Sequence, residues 1–406
     1  MRVNLVCTGF DRSSLILQPW SHVYLLSKKM IEQGVQVTLI TDRKADQPMT
    51  ETFNGLRVHR VEHFYPNLFL RKMRFTKAIL KNNPDVIVWF GSPLSAIYLA
   101  RLKGIQKPVA WVIDNEIYDL RVLSRVSFRE MVSPHHRFLW YPLMTALCPR
   151  AIIRGAANSP MIRKIVVPSQ YLKNSLVKIG TIAKKIVIVP SGRTPIGDSQ
   201  LEDAKEIKKR ARLESDHVIL YLGSPCTLRG TDTLVRSVPH VLKEVQNAKL
   251  VILSRREPAD ENSEERYLIS LAKKLNVHEH VRVIPGVLGR ATLEQLVRSS
   301  DIVALPFKLL FNEFPLCILE AMEMGKAIVT TRIGSLVEMI GSDRGVLAEP
   351  GRPDSLGRCI SYLFRNPKRL AELGRNAERF ALDFPSWDEI SRRMIDIVYD
   401  VASEAN

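Results

Sequence analysis

Short runs of Val, Ile and Leu alternate along the whole chain with stretches in which apolar residues recur every three to four positions. That alternation predicts parallel sheets covered by helices, an α/β chain rather than a sandwich or a bundle. Strands are predicted at 3–7, 35–41, 56–61, 86–90, 109–113, 164–168 and 186–189, and again at 218–223, 250–254, 281–285, 302–306, 327–331 and 345–348. Residues 387–401 place Trp387, Ile390, Met394, Ile397 and Val401 at helical spacing, which predicts a closing helix that packs as a brace.

Between the two sets of strands, Pro190, Ser191 and Gly192 and then Thr194 to Asp198 form a turn-rich stretch, followed by a heavily charged helix predicted at 201–213. The reading is therefore two doubly wound domains, 1–192 and 193–385, with a terminal helix, 386–406, bracing both. In such sheets ligands lie beyond the carboxyl ends of the strands. Chemistry is expected in the loops at 9–19, 114–119, 223–230, 286–290 and 308–315.

A length of 406 residues suits two such domains, and the 46% apolar content provides for their cores. Charge adds more. Residues 1–200 hold 29 Lys and Arg against 12 Asp and Glu, whereas residues 201–406 hold 30 of each, so the net +17 belongs to the first half. A field confined to one domain points to a polyanion: a membrane surface, a phosphate-bearing substrate or nucleic acid. Nucleic acid is the least favoured, because no motif for it is present. The five cysteines are odd in number and widely spaced, which reads as reduced core thiols in a cytosolic chain. No stretch reaches about 18 uninterrupted apolar residues, so no transmembrane anchor is expected. A nicotinamide dehydrogenase is set aside because no Gly-x-Gly-x-x-Gly follows the first strand.

Two stretches carry candidate chemistry. Tyr221-Leu-Gly-Ser-Pro-Cys-Thr-Leu-Arg-Gly230 reads as strand, loop and helix start, where backbone N–H groups and Arg229 would meet an anion. Asn312-Glu-Phe-Pro-Leu-Cys-Ile-Leu-Glu-Ala-Met-Glu-Met-Gly325 reads as a helix opened near Pro315 and ended by Gly325, with Glu320 among apolar neighbours. Its carboxylate suits a ribose diol, or equally a structural ion pair.

Together the two stretches resemble the donor domain of retaining GT-B glycosyltransferases, especially family 4. Residues 283–289, 296–306, 185–192 and 384–387 extend the likeness to essentially the whole chain, weakly before residue 185. The resemblance implies two Rossmann-like domains facing across a cleft and a nucleotide-diphosphate sugar between them. It places Glu320 on the ribose and Arg229 where a Lys usually contacts the diphosphate. It adds Gly9, Gly223, Ser224, Gly230, Asn312, Glu313, Phe314, Pro315 and Leu316 as donor-site residues, and Asp114 and Arg229 as catalytic ones. Reaction on one sugar face, with the departing phosphate helping to deprotonate the acceptor, is what the family implies. Two positions depart from its pattern: Ser224 stands where an Arg is usual, and Asn312 where the first of two glutamates is usual, with Glu313 at an expected Gly. Arg193 and Arg290 are candidate substitutes for the missing cation. No Asp-x-Asp pair is present, so neither metal nor other cofactor is expected.

In the first half, Arg121, Arg125 and Arg129 recur every four residues and are expected to share a helix face near an apolar stretch containing Trp140. Arg71, Lys72 and Arg74 lie in a similar mixture. Basic faces beside exposed apolar groups suggest an interfacial patch and a lipid-linked or phosphate-bearing acceptor at the inner face of a membrane. Two other readings remain: a degenerate GT-B protein acting as a binding or scaffold subunit, and a GT-B-fold sugar-nucleotide epimerase. Base, sugar, linkage and oligomeric state leave no mark in these patterns.

Overall fold

The computed structural model describes residues 1–11, 20–44, 46–62, 72–102, 105–126, 140–193, 217–254, 263–286 and 290–404. The helix expected at 201–213 lies outside them.

Two sheets organise the chain. The first contains β1 (Arg2–Val6), β2 (Gln36–Asp42), β3 (Thr50–Phe53), β4 (Leu56–Val61), β5 (Val86–Phe90), β6 (Val109–Val112), β7 (Ile162–Val167) and β8 (Ile186–Ile188), in the order β3-β4-β2-β1-β5-β6-β7-β8. The second contains β9 (His217–Leu222), β10 (Ala248–Leu253), β11 (Val281–Ile284), β12 (Ile302–Leu305), β13 (Ala327–Thr331) and β14 (Gly345–Ala348), in the order β11-β10-β9-β12-β13-β14. All thirteen expected strands are present, with ends within two residues of expectation. Every pairing is parallel except that of β3 with β4.

Strand β3 was not expected. It forms a hairpin with β4 through Asn54 and Gly55, whose φ values of 48° and 81° are what a tight two-residue turn requires. The Asn-Gly pair was the legible signal. Thr50–Phe53 nonetheless has too few apolar residues to read as a strand, because it lies at the sheet edge and buries none of its four residues fully.

Central strands are covered on both faces, so their sequences run apolar without alternation. Accordingly β5, β6, β12 and β13 are buried at every position. The helices framing the cleft are α1 (Trp20–Glu32), α2 (Gln170–Lys178), α3 (Thr231–Leu242), α4 (Leu316–Glu323), α5 (Leu336–Ile340) and α6 (Trp387–Ser403).

Helix α6 starts with a capping box, Ser386 with Glu389. It follows the second sheet in sequence, yet Ile390, Met394, Ile395, Val398 and Val401 join the core over the first sheet. The chain thus crosses between the sheets twice, and the crossings touch: the Arg193 amide donates to Pro385 O at 2.9 Å, and Arg193 bridges to Ser386. A Cβ on Gly192 would lie 2.7 Å from the Trp387 backbone, so this crossing needs glycine.

Among the described residues no helix is long and apolar enough to cross a membrane. The cysteines are unbridged.

Met394 is fully buried. Met394→Ala should cost roughly 2–5 kcal/mol in urea unfolding. An unchanged midpoint would show that α6 does not pack on the first sheet.

Candidate functional site

In each sheet the direction of winding reverses at one place, between β1 and β5 in the first and between β9 and β12 in the second. A crevice forms at such a point beyond the strand ends. The loop after β12 meets the loop after β6, the neighbour of β5, through Glu313 and Asp114.

On the second sheet, β9 runs into Gly223 (φ 129°) and a 3-10 turn, Thr227–Arg229, then Gly230 (φ 77°) and α3. A Cβ on Gly230 would meet Pro306 O at 1.8 Å, so only glycine lets this loop pass beside the end of β12. Arg229 lies beneath Gly223, with Nη1 3.2 Å from where a Cβ would be, and bonds to the Tyr221 phenol. Ser224 is half-buried, its carbonyl accepting from the Tyr221 hydroxyl at 3.3 Å. The start of α3 also holds a group that sequence reasoning passed over. Asp232, in the first turn, forms a buried ion pair with Lys308 at 3.0 Å. Lys308 therefore neutralises a carboxylate at the same helix end that was expected to attract an anion.

The loop after β12 ends at Pro315, which immediately precedes the first turn of α4. Phe314 stacks on Phe384, with centroids 5.1 Å apart. Pro315 is buried, and Leu316 touches the cores of both sheets. On α4, Leu316, Cys317 and Glu320 form the half-exposed face, whereas Ile318, Leu319, Ala321 and Met322 are buried. Asn312 lines a cavity of about 30 Å³ with His22, Asp114, Ser191, Glu313 and Phe314.

Glu313, at the position where the family pattern has Gly, is fully buried. Its Oε2 accepts from the Ser335 amide at 3.1 Å and lies 3.5 Å from Ser169 Oγ, while Oε1 has no partner. Its own amide donates to Asp114 O at 2.8 Å. The Glu313 side chain thus turns toward the protein interior.

On the first sheet, Gly9 (φ 73°) follows β1, and its amide donates to the Asp42 carboxylate. Trp20 lies over it and donates from its indole to Thr8 O at 2.7 Å. A cavity of about 400 Å³ opens here, lined among others by Thr8, Trp20, Phe90, Tyr98, Asp114 and Tyr141. Asp114 lines this cavity and the smaller one. Burial pushes its carboxyl up to about 6.

Two further groups were missed as site residues. Glu116, nearly buried, accepts from the Tyr171 hydroxyl at 2.9 Å, and burial pushes it up to about 7. His22 packs against Phe90 and Trp387, and burial pushes it down to about 4, which keeps the ring neutral near pH 7. Asp114-Asn-Glu116 was visible as a close pair of carboxylates. Nothing local in the sequence placed His22 in the cleft.

Several expectations fail. Arg193 is not a spare cation for the donor: its Nη1 pairs with Glu323 at 3.0 Å and its Nε donates to Phe384 O at 3.2 Å, so it ties the crossing. Arg121 and Arg125 do not share a helix face. They lie in a 3-10 segment, Leu120–Arg125, whose three-residue turn separates positions four apart. Arg121 is exposed, whereas Arg125 is half-buried with Nη1 enclosed and acts on Glu116. Arg71 and Arg129 lie outside the described residues, as do the side chains of Lys72, Arg74, Trp140 and Arg290.

A family model described as Glycosyltransferase Family 4 matches residues 20–194, and one described as Glycosyl transferases group 1 matches residues 202–380. The chain belongs to the family 4 glycosyltransferases, of GT-B architecture. It is 28% identical to the uncharacterized glycosyltransferase MJ1607 of Methanocaldococcus jannaschii over 59% of this chain and 60% of that protein. It is 26% identical to a D-inositol 3-phosphate glycosyltransferase of Segniliparus rotundus over 92% of this chain and 85% of that one. The chain spans between 42% and 60% of the first three curated relatives it matches. Its fold is similar to that of Anabaena Alr3699/HepE in complex with UDP and glucose, with a TM-score of 0.70 at 14% identity, covering 98% of this chain and all of that one.

The buried carboxylates predict a pH effect. Glu116 and Glu313 are both raised by burial, and the nearby Glu116 raises Glu313 further. The stability contributed by their neutral forms is therefore present below the ordinary value of 4.5 and lost as pH rises, for Glu116 through about 7. Glu313→Gln should flatten that dependence and stabilise the protein at pH 8 by about 1–3 kcal/mol. Melting curves at pH 5 and pH 8 with equal slopes for wild type and variant would contradict it.

Proposed function

We propose that the protein is a glycosyltransferase that moves a sugar from a nucleotide-diphosphate donor, held by the second domain, to an acceptor in the cavity beside Asp114. The carrying observation is the hydrogen bond from the Glu313 amide to Asp114 O, which sets the loop after β12 against the wall of that cavity. In this reading Glu320 binds the ribose, and Arg229 with the start of α3 holds the diphosphate. Asn312 and the backbone of Glu313, Phe314 and Pro315 meet the sugar, and Gly9 allows close approach. Gly223, Ser224, Gly230 and Leu316 shape the donor loops.

Retention of configuration belongs to the proposal. With the nucleophile role unfilled by a carboxylate, Asp114 orients the acceptor hydroxyl or the sugar while the leaving phosphate takes the proton. Metal independence is also proposed, because a helix start and Arg229 can offset the charge of the leaving diphosphate. UDP is the first nucleotide to test, given the HepE complex with UDP and glucose. A phosphate-bearing acceptor is supported by the basic first half and by the D-inositol 3-phosphate glycosyltransferase relative. Attachment to an anionic membrane surface rests on Arg121 with exposed Leu120, Met144 and Leu147.

The test is thermal shift with UDP, GDP, ADP and their sugar conjugates, followed by turnover with and without excess chelator. One nucleotide at a hundredfold excess over Kd should stabilise the protein by about 2.7 kcal/mol. Glu320→Ala should abolish that shift, and Arg229→Ala should lower kcat about 10²–10³-fold. Absence of any nucleotide shift would favour the second reading, a binding subunit on the same fold, which Ser224 and the Asp232–Lys308 pair favour. Loss of turnover in chelator would overturn metal independence.

A further inference from the structure

Helix α2 begins directly after β7 in the first domain, and its first turn has backbone N–H groups that no carbonyl of the helix can reach. Its own Ser169 satisfies one of them, accepting from Leu172 N at 3.1 Å. The two preceding ones are satisfied from the other domain. Gln170 N donates to Glu338 Oε1 at 3.2 Å and Tyr171 N donates to Glu338 Oε2 at 3.1 Å. Each oxygen of one carboxylate takes one amide, across a sequence separation of 167 and 168 residues. These bonds link the two domains directly.

The turn that carries Glu338 also carries the partner of Glu313. Gly334 (φ 47°) leads into Ser335, whose amide donates to Glu313 Oε2, and Glu338 is the third residue of α5, which follows. On the facing side, Ser169 approaches the same Glu313 oxygen, and the Tyr171 hydroxyl donates to Glu116, two residues beyond Asp114. Three consecutive residues of one turn, Ser169 to Tyr171, thus join both of these donor-domain carboxylates to the segment that bears Asp114.

We propose that Glu338 is a positioning residue: by capping α2 from the opposite domain, it fixes the register in which the Asn312–Phe314 loop meets Asp114. Its effect on turnover rests on the glycosyltransferase reading; its effect on domain closure does not. Glu338 itself is exposed at its outer side. Burial against α2 holds its carboxyl above the ordinary value despite the two amide donors, so desolvation offsets part of the bonding. A glutamine here keeps only one acceptor oxygen for two amides.

The test compares the full chain with Glu338→Ala and Glu338→Gln by small-angle scattering without ligand, by kcat and KM, and by nucleotide Kd. The alanine variant should show a larger radius of gyration and a kcat lower by about tenfold, as two bonds at a helix end would give. Nucleotide Kd should stay within about twofold, since donor binding lies within the second domain. The glutamine variant should fall between wild type and alanine, and it decides the matter if alanine does not fold. An unchanged radius of gyration overturns the proposal whatever kcat does, and so does a change confined to nucleotide Kd. A wild type without turnover would sink the glycosyltransferase reading, while the scattering would still decide whether Glu338 closes the cleft.

Discussion

The hydrogen bond from the Glu313 amide to the Asp114 carbonyl joins two loops that leave different sheets, and the cleft is built around it. The Glu313 loop springs from β12, at the reversal of the second sheet, and the Asp114 loop from β6, one strand from the reversal of the first, so a backbone bond between them brings the two strand-end regions together. Around this contact the Asn115 side chain donates to Phe311 O and the Tyr118 hydroxyl donates to Leu310 O. Tyr118, Val122 and Val126 close over Cys226, Leu228 and Leu309 in an apolar cluster shared by both domains. Apolar burial supplies the attraction here, and the backbone bonds supply the register.

Closing a cleft on carboxylates has a physical cost. Asp114, Glu116 and Glu313 lie where water is largely excluded, and Arg125 is the cation that offsets Glu116. Desolvation in such a place favours the neutral acid, so these groups keep their protons to higher pH than exposed carboxylates do. A cleft that binds a nucleotide diphosphate would need cations instead. Arg229 stands just before the start of α3, beside Gly223, and Lys308 is already engaged by Asp232. The acidic and basic groups thus fall in different parts of the interface.

The brace is equally specific. Helix α6 lays Trp387, Met394 and Val401 into the core of the first sheet, while Phe384, just before it, stacks on Phe314 of the loop after β12. A chain segment that leaves the second domain therefore completes the first. Arg193 ties the two crossings through its bonds to Pro385 O and Phe384 O and anchors them to α4 through Glu323. The Arg was legible in the sequence only as a loop cation, because its partner lies 130 residues away.

Elements set by local pattern could be read from the sequence alone. The thirteen strands, the Gly223–Gly230 loop and the apolar stripe of α6 each follow from the order of residues within a dozen positions, since period and turn chemistry are local properties. Strand β3 escaped because an edge strand needs few apolar residues. What required the tertiary structure was every relation between distant segments: the inward turn of Glu313, the neutral His22 between Phe90 and Trp387, the Asp232–Lys308 pair, and Glu338 capping a helix of the other domain. Burial and partnership are properties of the assembled chain, and these residues gained theirs only when two sheets met.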